Sequence, residues 1–254
     1  MAVLALTSAS ASPGVTTTAV ALALAWPRPV VLVDADPTGG SAILAGFLRG
    51  VREYDAGLVE ITLSPLGVDE ALRDAVQPLA GQASFVAGTR SHTQAAALKE
   101  LWAPLSTALA DLEATGQDVI VDAGRLGLTG SPQALLNTAD LTLLVTRTDL
   151  PSLAASSTWA ETVREPVDGW SNGGLLVIGA GQPYKTSDIA GVLGLPVMAE
   201  LPDDPTGAAV YHRGATPAKR FETSGYVRAV SAAATTLLGQ LAQSDPHAMA
   251  EVIQ

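Results

Sequence analysis

Three stretches of this chain carry residue types that could hold a phosphorylated ligand. The first is Thr7-Ser-Ala-Ser-Ala-Ser-Pro-Gly-Val-Thr-Thr-Thr18, between the apolar run Met1–Leu6 and the Ala/Leu-rich run Ala19–Trp26. Small residues, a Pro13-Gly14 turn and threonines opening a helix can curl so that backbone N–H groups converge on an anion. The helix N-terminus adds partial positive charge. The second stretch, Val30-Val-Leu-Val-Asp34-Ala-Asp36-Pro-Thr-Gly-Gly40, ends an apolar run in two carboxylates and a turn. The third, Val119-Ile-Val-Asp122-Ala-Gly124, ends another in one carboxylate and a glycine. A phosphate loop works with a divalent cation, held by a hydroxyl and nearby carboxylates. Thr16, Asp36 and Asp122 would supply those oxygens. One part is missing: the usual pattern sets a lysine before the hydroxyl, and here that slot holds Val15.

Such residues must be carried by strands and helices in the right places. Apolar runs short enough for buried strands recur at Val3–Leu6, Val30–Val33, Ser84–Ala87, Val119–Val121, Leu141–Val145, Leu175–Ile178 and Val197–Leu201. Helical stretches fall at Thr16–Ala25, Ser41–Leu48, Val68–Val76, Thr93–Ala114, Pro132–Asn137, Ser152–Val163, Thr186–Val192 and Tyr226–Gln243. Continuous Val/Ile/Leu runs, without polar alternation, belong to strands covered on both faces. Strands alternating with helices predict an α/β fold: a doubly wound, mostly parallel sheet with helices on both faces. Such sheets bind ligands at the carboxyl ends of their strands, where all three stretches fall. No repeat or linker divides the chain, so 1–245 reads as one domain and 246–254 as a tail.

Composition excludes other classes. With 48% hydrophobic and 15% charged residues the chain is an ordinary globular one. A net charge of −11 disfavours coating of DNA or anionic lipid. No basic run offsets it; the nearest cluster is Arg213, Lys219 and Arg220. With no cysteine there is no disulfide, thiolate metal site or thiol nucleophile. The apolar N-terminus lacks a basic segment and no apolar run reaches membrane-spanning length, so a cytoplasmic protein is expected.

Taken together, these stretches resemble the MinD/ParA family of deviant Walker-type P-loop ATPases, and the resemblance covers most of the chain. The family's K-G-G-x-G-K-T-T lies over Ser10-Ala-Ser-Pro-Gly-Val-Thr-Thr17, its V-D-x-D-P-x-G over Val33–Gly39, and its Walker B strand over Val119–Asp122. Leu193-Gly-Leu-Pro-Val197 with Leu201-Pro-Asp-Asp-Pro205 matches the segment bordering the family's adenine pocket. The resemblance implies ATP and Mg²⁺ as cofactors. It implies phosphate contacts from Ser10, Ala11, Ser12, Pro13, Gly14, Val15, Thr16 and Thr17, with Pro202 and Asp204 beside the base. Thr16 would bind the metal, Asp122 a metal-bound water, and Asp36 would position the attacking water. It further implies a homodimer around two nucleotides. The chain departs from the family at both lysines, which are Ser10 and Val15, at two glycines, which are Ala11 and Ser12, and at a base-recognising Asn, which is Gly179.

Losing both lysines removes cations that stabilise a transferred phosphoryl group; one supplied cation of this kind is worth ~10³–10⁵ in rate. Arg125 and Arg147 leave the sheet on the ligand side and are candidates to replace them. The leading expectation is a nucleotide-binding protein that positions or organises a partner assembly, with weak or lost hydrolysis. Eroded members of the family resemble the CpaE/TadZ group, which implies a secretion- or pilus-type protein partner. The alternatives are an active ATPase using a substitute arginine and a nucleotide-free scaffold. The tail is acidic and lacks a basic amphipathic membrane helix. Asp34 is expected to be structural, Asp140 and Asp149 turn or cap residues, and the four tryptophans packing residues. The scattered His92, His212 and His247 show no metal spacing. Leu98, Leu101, Trp102, Leu105, Leu109 and Leu112 mark one buried helical face, either core or dimer interface.

Overall fold

The computed structural model describes residues 2–10, 13–54, 56–112, 116–165 and 169–244. The tail 246–254 lies outside them. The expected strands are all present: β1 (Val3–Ser8), β2 (Val30–Asp34), β4 (Ala83–Val86), β5 (Asp118–Arg125), β6 (Leu141–Arg147), β7 (Gly173–Ile178) and β8 (Val197–Leu201), together with an unexpected β3 (Gln77–Ala80). They form one sheet in the order β3-β4-β2-β5-β1-β6-β7-β8. All neighbours pair in parallel except β3, which runs antiparallel to β4 at the sheet edge. Pro78 suits that place, since an edge strand tolerates a missing ladder donor.

Why β1 reads as a continuous apolar run is visible in its packing. Its residues alternate between two cores, and both are buried. Leu4 and Leu6 face one layer, built with α1 (Val15–Ala25), α9 (Pro205–Arg213) and α10 (Gly225–Ser244). Val3 and Ala5 face the other, built with α2 (Leu58–Leu63), α3 (Val68–Ala75), α5 (Trp102–Asp111), α6 (Gln133–Thr138), α7 (Leu150–Val163) and α8 (Thr186–Leu193). Each leucine buried this way contributes about 1.5–3 kcal/mol. The doubly wound architecture is therefore as expected. No helix among the described residues is long and apolar enough to cross a membrane.

Two helical expectations need correction. The stretch 93–114 is interrupted: α4 (His92–Ala95) runs into a 3₁₀ turn at Ala96–Leu98, and α5 starts afresh at Trp102. Pro104 explains the break, because its ring cannot donate to and would clash with the carbonyl four residues back. The apolar face survives the interruption, and all six of its residues are buried in the core. The stretch 41–48 is a π-helical turn at Ile43–Phe47, flanked by left-handed Ser41 and Arg49. It is pressed against α9: a methyl on Gly46 would lie 2.2 Å from the His212 carbonyl oxygen.

The acidic residues assigned to turns divide. Asp149 caps α7 through the Ser152 N–H at 2.9 Å, as expected. Asp140 instead accepts the Val3 N–H at 2.7 Å and tethers the start of β1. Trp26 does more than pack. Its indole N–H donates to Asp118 at 2.7 Å, which also takes both Arg28 contacts at 2.8 Å and the Ala2 N–H at 2.9 Å.

Candidate functional site

The sheet order puts β2, β5 and β1 side by side, so three loops distant in sequence leave the same edge together. Leu6 pairs with Asp122, Ser8 with Arg125, and Asp34 with Asp122. The loop after β1 is tied to β5 by the Leu126 N–H on the Ser8 carbonyl (2.8 Å) and by the Thr7 hydroxyl on the Gly124 carbonyl (3.1 Å). The Ala35 N–H donates to the Asp122 carbonyl at 2.8 Å, binding the loop after β2 to the same place.

At the start of α1, Gly14 has φ 105°, a left-handed conformation that lets the chain turn abruptly into the helix. No side chain caps this end, which leaves the first-turn N–H groups facing the cleft. Pro13, Gly14, Val15, Thr16 and Thr17 all line that cleft. Ser10 accepts the Ser8 hydroxyl through its carbonyl at 3.0 Å. Ala11 and Ser12 lie outside the described residues. Val15 is only 6% exposed and its side chain packs into the core beneath α1.

The carboxylates gather beneath this helix end. Asp122 is fully buried with one carboxylate oxygen, Oδ2, lacking any hydrogen bond; the other takes the Gly124 N–H at 3.1 Å. Burial pushes its pKa up to about 8, with the charges of Asp34 and Asp36 acting the same way and the Thr16 hydroxyl acting against them. Asp34 is also buried with an unpartnered Oδ2. Burial raises its pKa to about 6; the Ser41 hydroxyl opposes that rise, as do backbone groups at Asp36 and Gly88. Asp36 is more exposed, and its Oδ1 accepts both the N–H and the hydroxyl of Thr38 at 2.8 Å. Gly124 lets it approach: at φ +61° any Cβ there would sit 2.4 Å from the Asp36 carboxyl carbon.

These residues fit a hard divalent cation. Buried anions left without partners are costly unless a positive charge neutralises them, and Thr16 brings a neutral oxygen ligand to the same point. Among the described residues no three His, Cys, Asp or Glu side chains form a complete cage.

The cleft has a volume of about 730 Å³ and continues from α1 across β6, β7 and β8 to α9 and α10. Leu201, Pro202 and Tyr226 make its far end apolar, and Ile178 lies beside Gly14. Asp204 lines this end too, but its Oδ1 is occupied in capping α9, accepting the N–H groups of Thr206 (3.1 Å) and Gly207 (2.9 Å). Arg147 is paired with Asp203 at 2.9 Å. Arg125 lines the cleft, exposed, with no ion pair among the described residues. Asp34, expected to be structural, is bonded by backbone groups at Asp36 and Gly88, and it also stands across the ladder from Asp122 with an unpartnered Oδ2. Its identity was in plain view; its neighbour across the ladder was not.

No family model matches the chain. An uncharacterized protein of Mycobacterium tuberculosis strain H37Rv, and the same protein in strain CDC 1551, are 30% identical over 207 residues. That match takes in 75% of this chain and 51% of theirs, so the chain spans about half the length of these relatives. Among solved structures, the MinD cell division protein of Aquifex aeolicus superimposes with a TM-score of 0.73 at 18% identity, covering 94% of this chain and 98% of that one. The chain has the MinD/ParA-type P-loop fold. A ParA family ATPase from Chlorobium tepidum agrees, with a TM-score of 0.70 at 18% identity over 93% of this chain and 98% of that one. MinD of Pyrococcus horikoshii, solved with Mg-ADP, gives 0.72 at 17% identity over 96% and 99% of the two chains. The Aquifex protein has also been solved as a MinC:MinD complex, with a TM-score of 0.73 at 17% identity over 94% of this chain and 96% of that one.

Proposed function

We propose that this protein is a nucleotide-binding switch that takes ATP with Mg²⁺ and positions or organises a partner assembly, with hydrolysis weak or lost. The observation that supports it best is the pair of buried carboxylates, Asp34 and Asp122, each with an unpartnered oxygen, beside the Thr16 hydroxyl and the uncapped end of α1. Thr16 and Asp122 would hold the metal, with Asp36 at its outer side. When bound, Mg²⁺ supplies the positive charge that these carboxylates and a phosphate chain share. The backbone of Pro13–Thr17 would wrap the phosphates, and the apolar end with Pro202 and Asp204 would seat the base.

The same geometry argues against fast turnover. Val15 occupies the lysine slot and is packed inward, so the loop itself offers no side-chain cation. Binding and release, together with dimerisation, would then carry the switching. A protein partner fits a fold also solved as a MinC:MinD complex in Aquifex, and the proposed system is of the secretion or pilus-positioning type. In this reading the protein works in the cytoplasm and reaches a membrane only through its partner.

Isothermal titration with ATP, ADP and GTP in Mg²⁺ tests the proposal directly. Heat that disappears on chelating Mg²⁺ supports the switch. No heat with any nucleotide would leave a nucleotide-free scaffold. Steady turnover that falls with Asp36→Ala would replace the switch with an active ATPase.

A further inference from the structure

If nucleotide binds as proposed, its phosphates need a positive partner, and neither lysine of the usual loop is present. Each cation that lines the cleft can be judged by what already holds it. Arg147 is committed: its Nη1 donates to Asp203 at 2.9 Å, beside the apolar end. Arg213, exposed and without an ion pair among the described residues, lines the cleft from the last turn of α9. His212 bonds the Ala208 carbonyl of its own helix through Nδ1 at 3.0 Å.

Arg125 differs from Arg147 in having no ion pair among the described residues, and from Arg213 in its place in the sheet. It is the last residue of β5, three positions past Asp122, and its Cα pairs with Ser8, where the phosphate loop leaves β1. Neighbouring strands lie about 4.8 Å apart, so the Arg125 backbone stands beside the point where that loop begins. Gly124, left-handed and pressed on the Asp36 carboxyl, fixes where this side chain leaves the sheet. The side chain is exposed, lines the cleft together with Gly14–Thr18, and has no ion-pair partner among the described residues. Its position also suits the charge balance, because a bound Mg²⁺ would be largely neutralised by Asp34 and Asp122.

We infer that Arg125 is the phosphate-binding cation of this site, taking over from a different strand the charge that the loop lysine would supply. The inference rests on the nucleotide reading above. It concerns binding of a polyphosphate chain, and Arg125 would contact the ligand directly with charge-assisted, fork-shaped hydrogen bonds.

The test is calorimetric titration of the full chain in Mg²⁺ with ATP, inorganic tripolyphosphate and adenosine. Arg125→Ala, Arg125→Lys and, as a charge-matched surface control, Arg73→Ala on α3 are compared with the unaltered chain. Hydrogen bonds to a charged group of this kind correspond to about a tenfold to hundredfold change in affinity. Arg125→Ala should weaken ATP and tripolyphosphate by that factor and leave adenosine unchanged. Arg125→Lys should recover much of the loss, and Arg73→Ala should lose less than about twofold, as expected for a distant screened charge. Binding of both phosphates by Arg125→Ala within about twofold of the unaltered chain overturns the inference and leaves the nucleotide proposal standing. An unaltered chain that binds neither ATP nor tripolyphosphate overturns both. A thermal melt of each variant separates lost contact from lost fold.

Discussion

Replacing Asp122 with Asn should stabilise this protein when no metal is present, and should do so only above mildly acidic pH. Burial and the neighbouring Asp34 charge lift Asp122 from 3.8 to about 8. A carboxylate whose folded pKa is raised keeps a proton in the native state that the unfolded chain releases. Stability is then greatest below the unfolded value and falls as pH climbs toward the folded one. At about 1.36 kcal/mol per unit, a shift from 3.8 to about 8 makes this one group cost up to ~4 kcal/mol between about pH 5 and pH 8.5. The side-chain amide cannot ionise, so Asp122→Asn should flatten that slope. At pH 8.5 in EDTA it should exceed the unaltered protein by about 1–3 kcal/mol, the range for relieving a buried unsatisfied group. Urea denaturation at the two pH values, both proteins in parallel, measures this as a difference of slopes and cancels the general repulsion of a −11 chain. Added Mg²⁺ should then raise the midpoint of the unaltered protein by mass action and leave Asp122→Asn nearly unmoved. Equal slopes for the two proteins, or a less stable Asn variant at pH 8.5, would refute the reasoning.

Other substitutions probe the frame that holds the site. Gly124→Ala combines a left-handed φ of +61° with a methyl 2.4 Å from the Asp36 carboxyl; it should cost about 1–3 kcal/mol in strain, read as a lower thermal midpoint. Asp118→Ala leaves the buried Trp26 indole N–H and the Ala2 N–H without their acceptor and should cost about 1–3 kcal/mol, the range for a buried donor left unsatisfied, by urea melt. Asp149→Ala removes the cap of α7 and should cost about 0.5–2 kcal/mol. Because the Ser152 N–H lowers the Asp149 pKa, that cap stabilises above the usual carboxylate range and fades as pH falls through the native value, so the two proteins should converge in acid.

The sheet was legible because strands covered on both faces must be apolar on both, and Val30–Val33 or Leu141–Val145 can hardly be anything else. β3 was hidden by Pro78 and by its single exposed edge, where the rule of continuous burial does not apply. α2 and α9 are short and open on Gly57 and on Asp204-Pro205, residues that read equally as turns. Within the site, Thr16, Asp36 and Asp122 could be picked out because each is a polar residue at the end of an apolar run. Asp34 beside Asp122 could not, since their contact is a register between strands separated by two others in sequence. The Arg147–Asp203 pair spans 56 residues and depends on β7 and β8 standing in order beyond β6, which no local pattern records.

The physical case for a loaded site turns on what an empty one would cost. In a chain used only as a scaffold, Asp34 and Asp122 would be two adjoining buried acids neutralised only by the protons that burial keeps on them, and apolar or amide replacements would be neutral or stabilising. Val15 carries no such penalty: it joins the core under α1. The site is therefore asymmetric. Val15 packs stably without ligand, while the carboxylates become unfavourable as pH rises toward their native pKa values. A protein built this way should be least stable empty and should tighten on binding Mg²⁺ and nucleotide. Asp36 starts the segment whose π-helical turn packs against α9, and α9 forms a wall of the same cleft.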